Sequence, residues 1–119
     1  MSTATEFLPG WKREMIAGHE AEIFEPPQPN EHGYTVIYLH GVHLKTLADN
    51  AVYTNLFARH GLRVVVPKTG RSWWADRICR EFDPAVTADQ YVRSGVLPFI
   101  QERFGAVPPR LALLGTSMG

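Results

Sequence analysis

A single cysteine, Cys79, stands among 119 residues. One thiol cannot close an intrachain disulfide, so nothing implies secretion, and the fold must be held by packing and hydrogen bonds. Long apolar runs are missing too. No stretch approaches the roughly 20 residues a bilayer span needs, and Met1–Ile16, broken by Glu6, Pro9, Lys12, Arg13 and Glu14, has no apolar core of signal-peptide length, so no secretory leader is expected. A soluble, cytoplasmic chain is expected, without membrane contact. Charge of one sign is not in excess either: Lys plus Arg and Asp plus Glu both total 12. A binder that depends on neutralising phosphates shows a basic surplus, so nucleic acid is not an expected partner. The first 50 residues are acidic and the remainder basic, without a dense cluster in either part. No internal repeat or low-complexity tail is present. The one linker-like stretch, Pro26-Pro27-Gln28-Pro29-Asn30, is too short to divide domains. We therefore read residues 1–119 as one domain or part of one.

Hydrophobic patterning sets the class. Trp11–Ile16 and Glu20–Glu25 suit a hairpin around Ala17-Gly18-His19. Tyr34–Leu39 (YTVIYL) is nearly continuous in apolar, aromatic and β-branched residues, the pattern of a strand covered on both faces. Asp49 or Asn50 caps a helix running to His60, with Val52/Leu56 and Tyr53/Phe57 at i, i+4 spacing and Gly61 as the stop. Leu62–Val66 is a second buried strand, closed by Pro67. After an irregular loop, Lys68–Phe82, comes a helical stretch from Asp83 or Thr87 to Phe104. Thr87 and Gln90 have capping-box spacing there, and Val92, Val96, Ile100 and Phe104 recur every four residues. Pro98 predicts a kink or break near Ser94-Gly95. Gly105 and Pro108-Pro109 end the helix, and Arg110–Leu114 is a third strand. Strands alternating with helices imply an α/β fold, a mostly parallel sheet with crossover helices. Ligands of such sheets bind outside the carboxyl ends of the strands, here His40–His43, Lys68–Trp74 and Gly115–Gly119.

The last of these reads Gly115-Thr116-Ser117-Met118-Gly119, or G-x-S-x-G, directly after an aliphatic strand. This is the arrangement of a nucleophile elbow, a sharp strand-to-helix turn that projects the serine hydroxyl above the sheet in strained backbone geometry. Side chains at 115 and 119 would collide with neighbouring backbone. A serine attacking a carbonyl needs donors for the developing oxyanion. The N–H of Met118 is one, and the loop His40-Gly41-Val42-His43 supplies the other, Val42 first and Gly41 second. His40 is expected to brace that loop by hydrogen bonds. His40 and His43 as metal ligands lack a third partner, so no metal and no cofactor is expected. Neither is expected to be the catalytic base, since both precede the strand that aims Ser117.

Tyr38-Leu39-His40-Gly41 and Leu113–Gly119 resemble the oxyanion loop and elbow of α/β-hydrolases. The stretch Ser72–Phe104, with Trp73-Trp74, Asp76, Phe82-Asp83-Pro84, Tyr91-Val92 and Leu97-Pro98-Phe99-Ile100, is similar to the group holding esterase D, S-formylglutathione hydrolase and related acyltransferases. The resemblance covers about residues 20–119; Val42 departs from the glycine-rich HGGG form of the loop. It implies the amino-terminal half of an α/β-hydrolase fold and hydrolysis of a small ester or thioester through an acyl-serine. It also implies a triad acid and then a His after the nucleophile. Neither follows Ser117 before Gly119, so these residues alone are expected to be inactive. Leu111–Leu114 is expected to form an exposed edge, prone to self-association or to pairing with a complementing carboxy-terminal piece.

Other classes remain on the page. A non-catalytic fragment or pseudoenzyme of the same fold would keep the sheet without the triad. A nucleotide-binding domain would need a Walker lysine or a G-x-G-x-x-G after a strand, and neither occurs. Trp73 and Trp74 border the expected site, one walling an acyl pocket and the other covering the sheet, or both packing as ordinary loop residues. Arg71, Asp76 and Arg77 read as a surface ion-pair cluster, Tyr91 as packing, and Cys79 as a small buried residue.

Overall fold

In the computed structural model, residues 7–119 are described; the part of the amino-terminal reading that rests on residues 1–6 lies outside them. The expected hairpin forms from β1 (Trp11–Ile16) and β2 (His19–Phe24). The turn is tighter than the three residues expected. Ala17 and Gly18 alone connect the strands, both at positive φ (48° and 85°), the mirror-image turn whose twist matches a hairpin. His19 thus opens β2 and pairs with Ile16.

The chain continues through β3 (Thr35–Leu39), helix α1 (Ala51–Arg59) and β4 (Arg63–Pro67). Asn50 is the cap of α1; its side chain accepts the N–H of Tyr53 at 3.0 Å. Next come α2 (Ala88–Tyr91), a π-helical turn (Val92–Val96), α3 (Leu97–Phe104) and β5 (Leu111–Gly115). The Thr87–Gln90 capping box is present, each side chain meeting the other's backbone N–H. The kink or break predicted near Ser94-Gly95 takes the form of a widened turn within a continuous helix. Pro98 cannot donate to the carbonyl one turn back, and its ring crowds that turn. The chain accommodates this by shifting to i→i−5 bonding, Leu97 N–H to Val92 O.

The five strands lie in the order β1-β2-β4-β3-β5. β3 pairs in parallel with β4 and β5, while β1–β2 and β2–β4 are antiparallel. The sheet is therefore mixed rather than mostly parallel. A two-residue turn can only join antiparallel neighbours, and the hairpin adds to the parallel part as a unit. Side-chain alternation explains the continuous apolar runs. Val36, Tyr38, Val64 and Val66 face α1 with Trp11, Phe24 and Phe57. Ile37 and Val65 face α2 and α3 with Ile16, Ile23, Tyr91, Val96 and Ile100. Trp11 ties the first layer down through an indole N–H donated to Thr54 Oγ1 at 3.0 Å. β5 lies at the edge of the described sheet, and Leu113 on it is 68% exposed, as expected of that strand. No helix among the described residues is long and apolar enough to cross a membrane.

Candidate active site

The two helical crossovers run in opposite directions, α1 carrying the chain from β3 to β4 on one side and α2–α3 carrying it from β4 back past β3 to β5 on the other. A crevice outside the carboxyl ends of β3 and β5 follows from that reversal. Two of the three segments singled out by sequence meet there. β3 runs into His40-Gly41-Val42-His43, and β5 runs into Thr116-Ser117-Met118-Gly119.

Ser117 has φ 55°, in the left-handed region a non-glycine residue enters at a cost of order 1–3 kcal/mol. The surrounding contacts hold it there. Thr116 N–H reaches Leu39 O at 3.3 Å, and Gly119 N–H closes the turn on Thr116 O at 2.9 Å. Thr116 Oγ1 also meets Tyr38 Oη at 2.7 Å. Both flanking glycines are required by space. A Cβ on Gly115 would lie 2.5 Å from the carbonyl carbon of Gly119, and one on Gly119 would collide with Leu39 O. Ser117 is exposed while Met118, the next residue, is 5% exposed and packed inward. The turn thus presents its serine to solvent and seats the neighbouring side chain below.

Gly41 lies against this turn. A Cβ there would be 3.1 Å from Ser117 Cβ and 3.1 Å from Thr116 O, so glycine lets the two loops touch. The peptide planes on either side of Gly41 are both pinned. Trp74 donates its indole N–H to His40 O at 3.1 Å. Gly41 O accepts Leu44 N–H at 3.0 Å and the His40 imidazole at 3.1 Å. In a trans peptide the carbonyl and the following N–H point opposite ways. With Gly41 O drawn toward His40 and Leu44, Val42 N–H is turned away from them and left free of that turn.

His40 is 2% exposed. Its Nε2 accepts the buried N–H of Thr69 at 3.1 Å, which leaves the proton on Nδ1 for the bond to Gly41 O. Burial pushes its pKa below the ordinary histidine value, with the Lys68 ammonium acting in the same direction. A neutral ring with both nitrogens engaged can hold a loop; it has no free nitrogen to take a proton from Ser117.

Trp73 and Trp74 sit in succession at φ 56° and 54°. Trp74 packs on His40, ring centres 5.0 Å apart, whereas Trp73 is 64% exposed. Of the pair, Trp74 supports the loop and Trp73 is left facing solvent. Thr69 and Ser72 bond to each other at 2.8 Å, and Ser72 Oγ accepts Trp74 N–H at 3.1 Å, which fixes this turn.

The expected cluster of Arg71, Asp76 and Arg77 does not form. Arg71 pairs with Glu81, and Asp76 accepts the Thr87 hydroxyl at 2.8 Å, because the loop folds back on itself and brings residue 81 to 71. Cys79 is half-buried in a turn bridged to Asp83, not a core residue. Tyr91 is buried, and desolvation raises its phenol pKa, in keeping with packing. Glu22, absent from the sequence reading of the site, lies behind the Gly41 loop at 1% exposure. Nothing in the sequence set it apart, since His19 and Glu20 on the same strand are polar as well. Among the described residues no group of three or more His, Cys, Asp or Glu side chains is placed to hold a metal ion.

No protein-family model matches the chain, and no curated protein matches its sequence. Solved structures do match its fold. One is an S-formylglutathione hydrolase from Agrobacterium tumefaciens, with TM-score 0.67 and 19% identity over 99% of this chain and 52% of that one. Another is FphF, a fluorophosphonate-binding serine hydrolase of Staphylococcus aureus, with TM-score 0.65 and 16% identity over 84% of this chain and 42% of that one. A third is EstE1, a thermostable carboxylesterase from a metagenomic library, with TM-score 0.63 and 20% identity over 98% of this chain and 40% of that one. The chain shares its fold with part of each of these proteins, and it spans about half their length or less.

Proposed function

We propose that the chain forms the nucleophile-bearing part of a serine hydrolase that cleaves carboxylic esters or thioesters. The observation that carries this is Ser117, exposed at φ 55° between two glycines that nothing larger can replace. Its Oγ gives its proton to a base and attacks the substrate carbonyl, the negative charge moves to the carbonyl oxygen, and the leaving group departs with that proton to give an acyl-serine. Water then releases the acid and restores the hydroxyl. The N–H groups of Met118 and Val42 are assigned to the oxyanion, with Gly41 N–H the alternative second donor. Support comes from the contact of Gly41 with Ser117 and from the pinned peptide planes around Gly41.

His40 holds the oxyanion loop and is not the base. The base and its carboxylate are assigned to chain outside residues 1–119, in the order acid then His known for this elbow. Without them residues 1–119 are expected to turn over esters only weakly. Loss of one triad member lowers kcat by a factor on the order of 10⁴–10⁶ in subtilisin. We read residues 1–119 as a single partial domain, and Trp73 as a wall of the acyl site. The test is reaction of the full-length protein with a fluorophosphonate probe, followed by peptide mass spectrometry. An adduct on Ser117, lost in Ser117→Ala, is expected. Absence of an adduct there, in protein that is folded, would refute the assignment.

A further inference from the structure

We propose that Glu22 is a positioning residue for the oxyanion loop, acting through Thr46 and Lys68. The inference rests on the serine-hydrolase reading above and goes beyond it by naming what sets the loop's geometry. Glu22 sits on β2, opposite Val66 of β4, on the face of the sheet that carries Phe24. Its carboxylate is buried, and each oxygen has a different partner. Oε1 takes the hydroxyl of Thr46, and Oε2 takes the Lys68 ammonium at 2.7 Å. A buried carboxylate is tolerated only when paired in this way.

Its two partners lie on the two segments that frame the site. Thr46 belongs to the loop that begins at His40 and Gly41. Its Oγ1 also accepts Ala48 N–H at 2.9 Å, which anchors the far end of that loop ahead of α1. Lys68 immediately precedes Thr69, whose N–H holds His40 Nε2 and thereby places the proton on Nδ1 for Gly41 O. One carboxylate therefore spans both supports of the Gly41–Val42 peptide. From one side it restrains the loop's end, and from the other it restrains the strand exit that orients His40. Sequence distance conceals the arrangement, since Glu22 is 24 residues from Thr46.

A donor that is displaced rather than deleted should weaken the acylation transition state while leaving substrate binding nearly intact. The test compares Glu22→Gln, Thr46→Val and Thr46→Ser with wild type in the full-length protein, measuring kcat and KM on a p-nitrophenyl ester, fluorophosphonate labelling rate and thermal midpoint. Glu22→Gln and Thr46→Val are expected to lower kcat and labelling about 10- to 100-fold, less than the loss of a whole oxyanion donor, with KM within about twofold. Thr46→Ser, which restores the hydroxyl, is expected to recover the wild-type rate. Unchanged kcat in Glu22→Gln and Thr46→Val, with a wild type that labels at Ser117, would overturn the proposal alone. So would a loss that merely follows the folded fraction, or one that Thr46→Ser does not repair. A folded wild type that does not label at all would remove the hydrolase reading and this proposal together.

Discussion

Replacing His40 by alanine should cost stability in a way that depends on pH. Thr69, whose N–H the ring accepts, is fully buried, so the vacated N–H has no route to solvent. Leaving it unpaired costs about 1–3 kcal/mol. Loss of the imidazole N–H from Gly41 O adds about 0.5–1 kcal/mol, since that carbonyl keeps the Leu44 N–H. Lost contact with the Trp74 ring contributes about 0.5–1.5 kcal/mol. The total is about 2–5.5 kcal/mol near neutral pH, a large share of a domain's stability. The sign of the pH dependence follows from burial. The folded ring has a pKa below its unfolded value, which is near 6.5. Between the two values the unfolded chain binds the extra proton, so the stability His40 contributes is fully present above about pH 6.5. It falls as pH drops through that window, with a limiting slope of about 1.4 kcal/mol per pH unit. Urea unfolding of wild type and His40→Ala at half-unit steps from pH 5 to 8 measures this directly. The gap between them should widen as pH rises to about 6.5 and then stay level. A gap that ignores pH, or one under about 0.5 kcal/mol throughout, would show that the ring is neither buried neutral nor bonded as described.

Three further outcomes are expected. Ser117→Ala should abolish fluorophosphonate labelling and lower ester turnover by about 10⁶ in the full-length protein, with circular dichroism unchanged. Gly115→Ala should distort the turn, because the new Cβ meets the Gly119 carbonyl carbon at 2.5 Å. A stability loss of about 1–3 kcal/mol and a labelling rate reduced more than tenfold are expected, read by chemical denaturation and mass spectrometry. Tyr38→Phe removes the 2.7 Å bond to Thr116 and should cost about 1 kcal/mol, with a smaller loss of labelling than Gly115→Ala.

Much of this molecule is written in short stretches of chain. The runs at Tyr34–Leu39 and Leu62–Val66 announce strands covered on both faces because neighbouring side chains point to opposite layers. Asn50 and the Thr87–Gln90 pair mark helix starts because a cap bonds within three residues. Gly115-Thr116-Ser117-Met118-Gly119 marks the turn because its steric demands are set by five consecutive residues. Each of these signals acts over less than about seven positions, so local chemistry suffices to reveal it.

Relations across longer separations had to wait for the folded chain. The hairpin's antiparallel attachment to β4 depends on which sheet edge it finds, and the alternation of its residues is silent on that choice. Pro98 announced a disturbance near Ser94-Gly95 but not its form, since packing of Val96 and Ile100 against the sheet holds the helix together through the wider turn. Glu22 looks like any polar residue in a strand until Thr46 and Lys68 converge on it. The role of His40 depends on a backbone N–H from residue 69, which alone settles where the imidazole proton resides. Sequence by itself determined the elements and the exposed serine, through steric and hydrogen-bonding rules of near neighbours. Tertiary structure alone decided strand order, the ring's protonation and the loop's support, because those depend on groups brought together only when the sheet closes over its two cores.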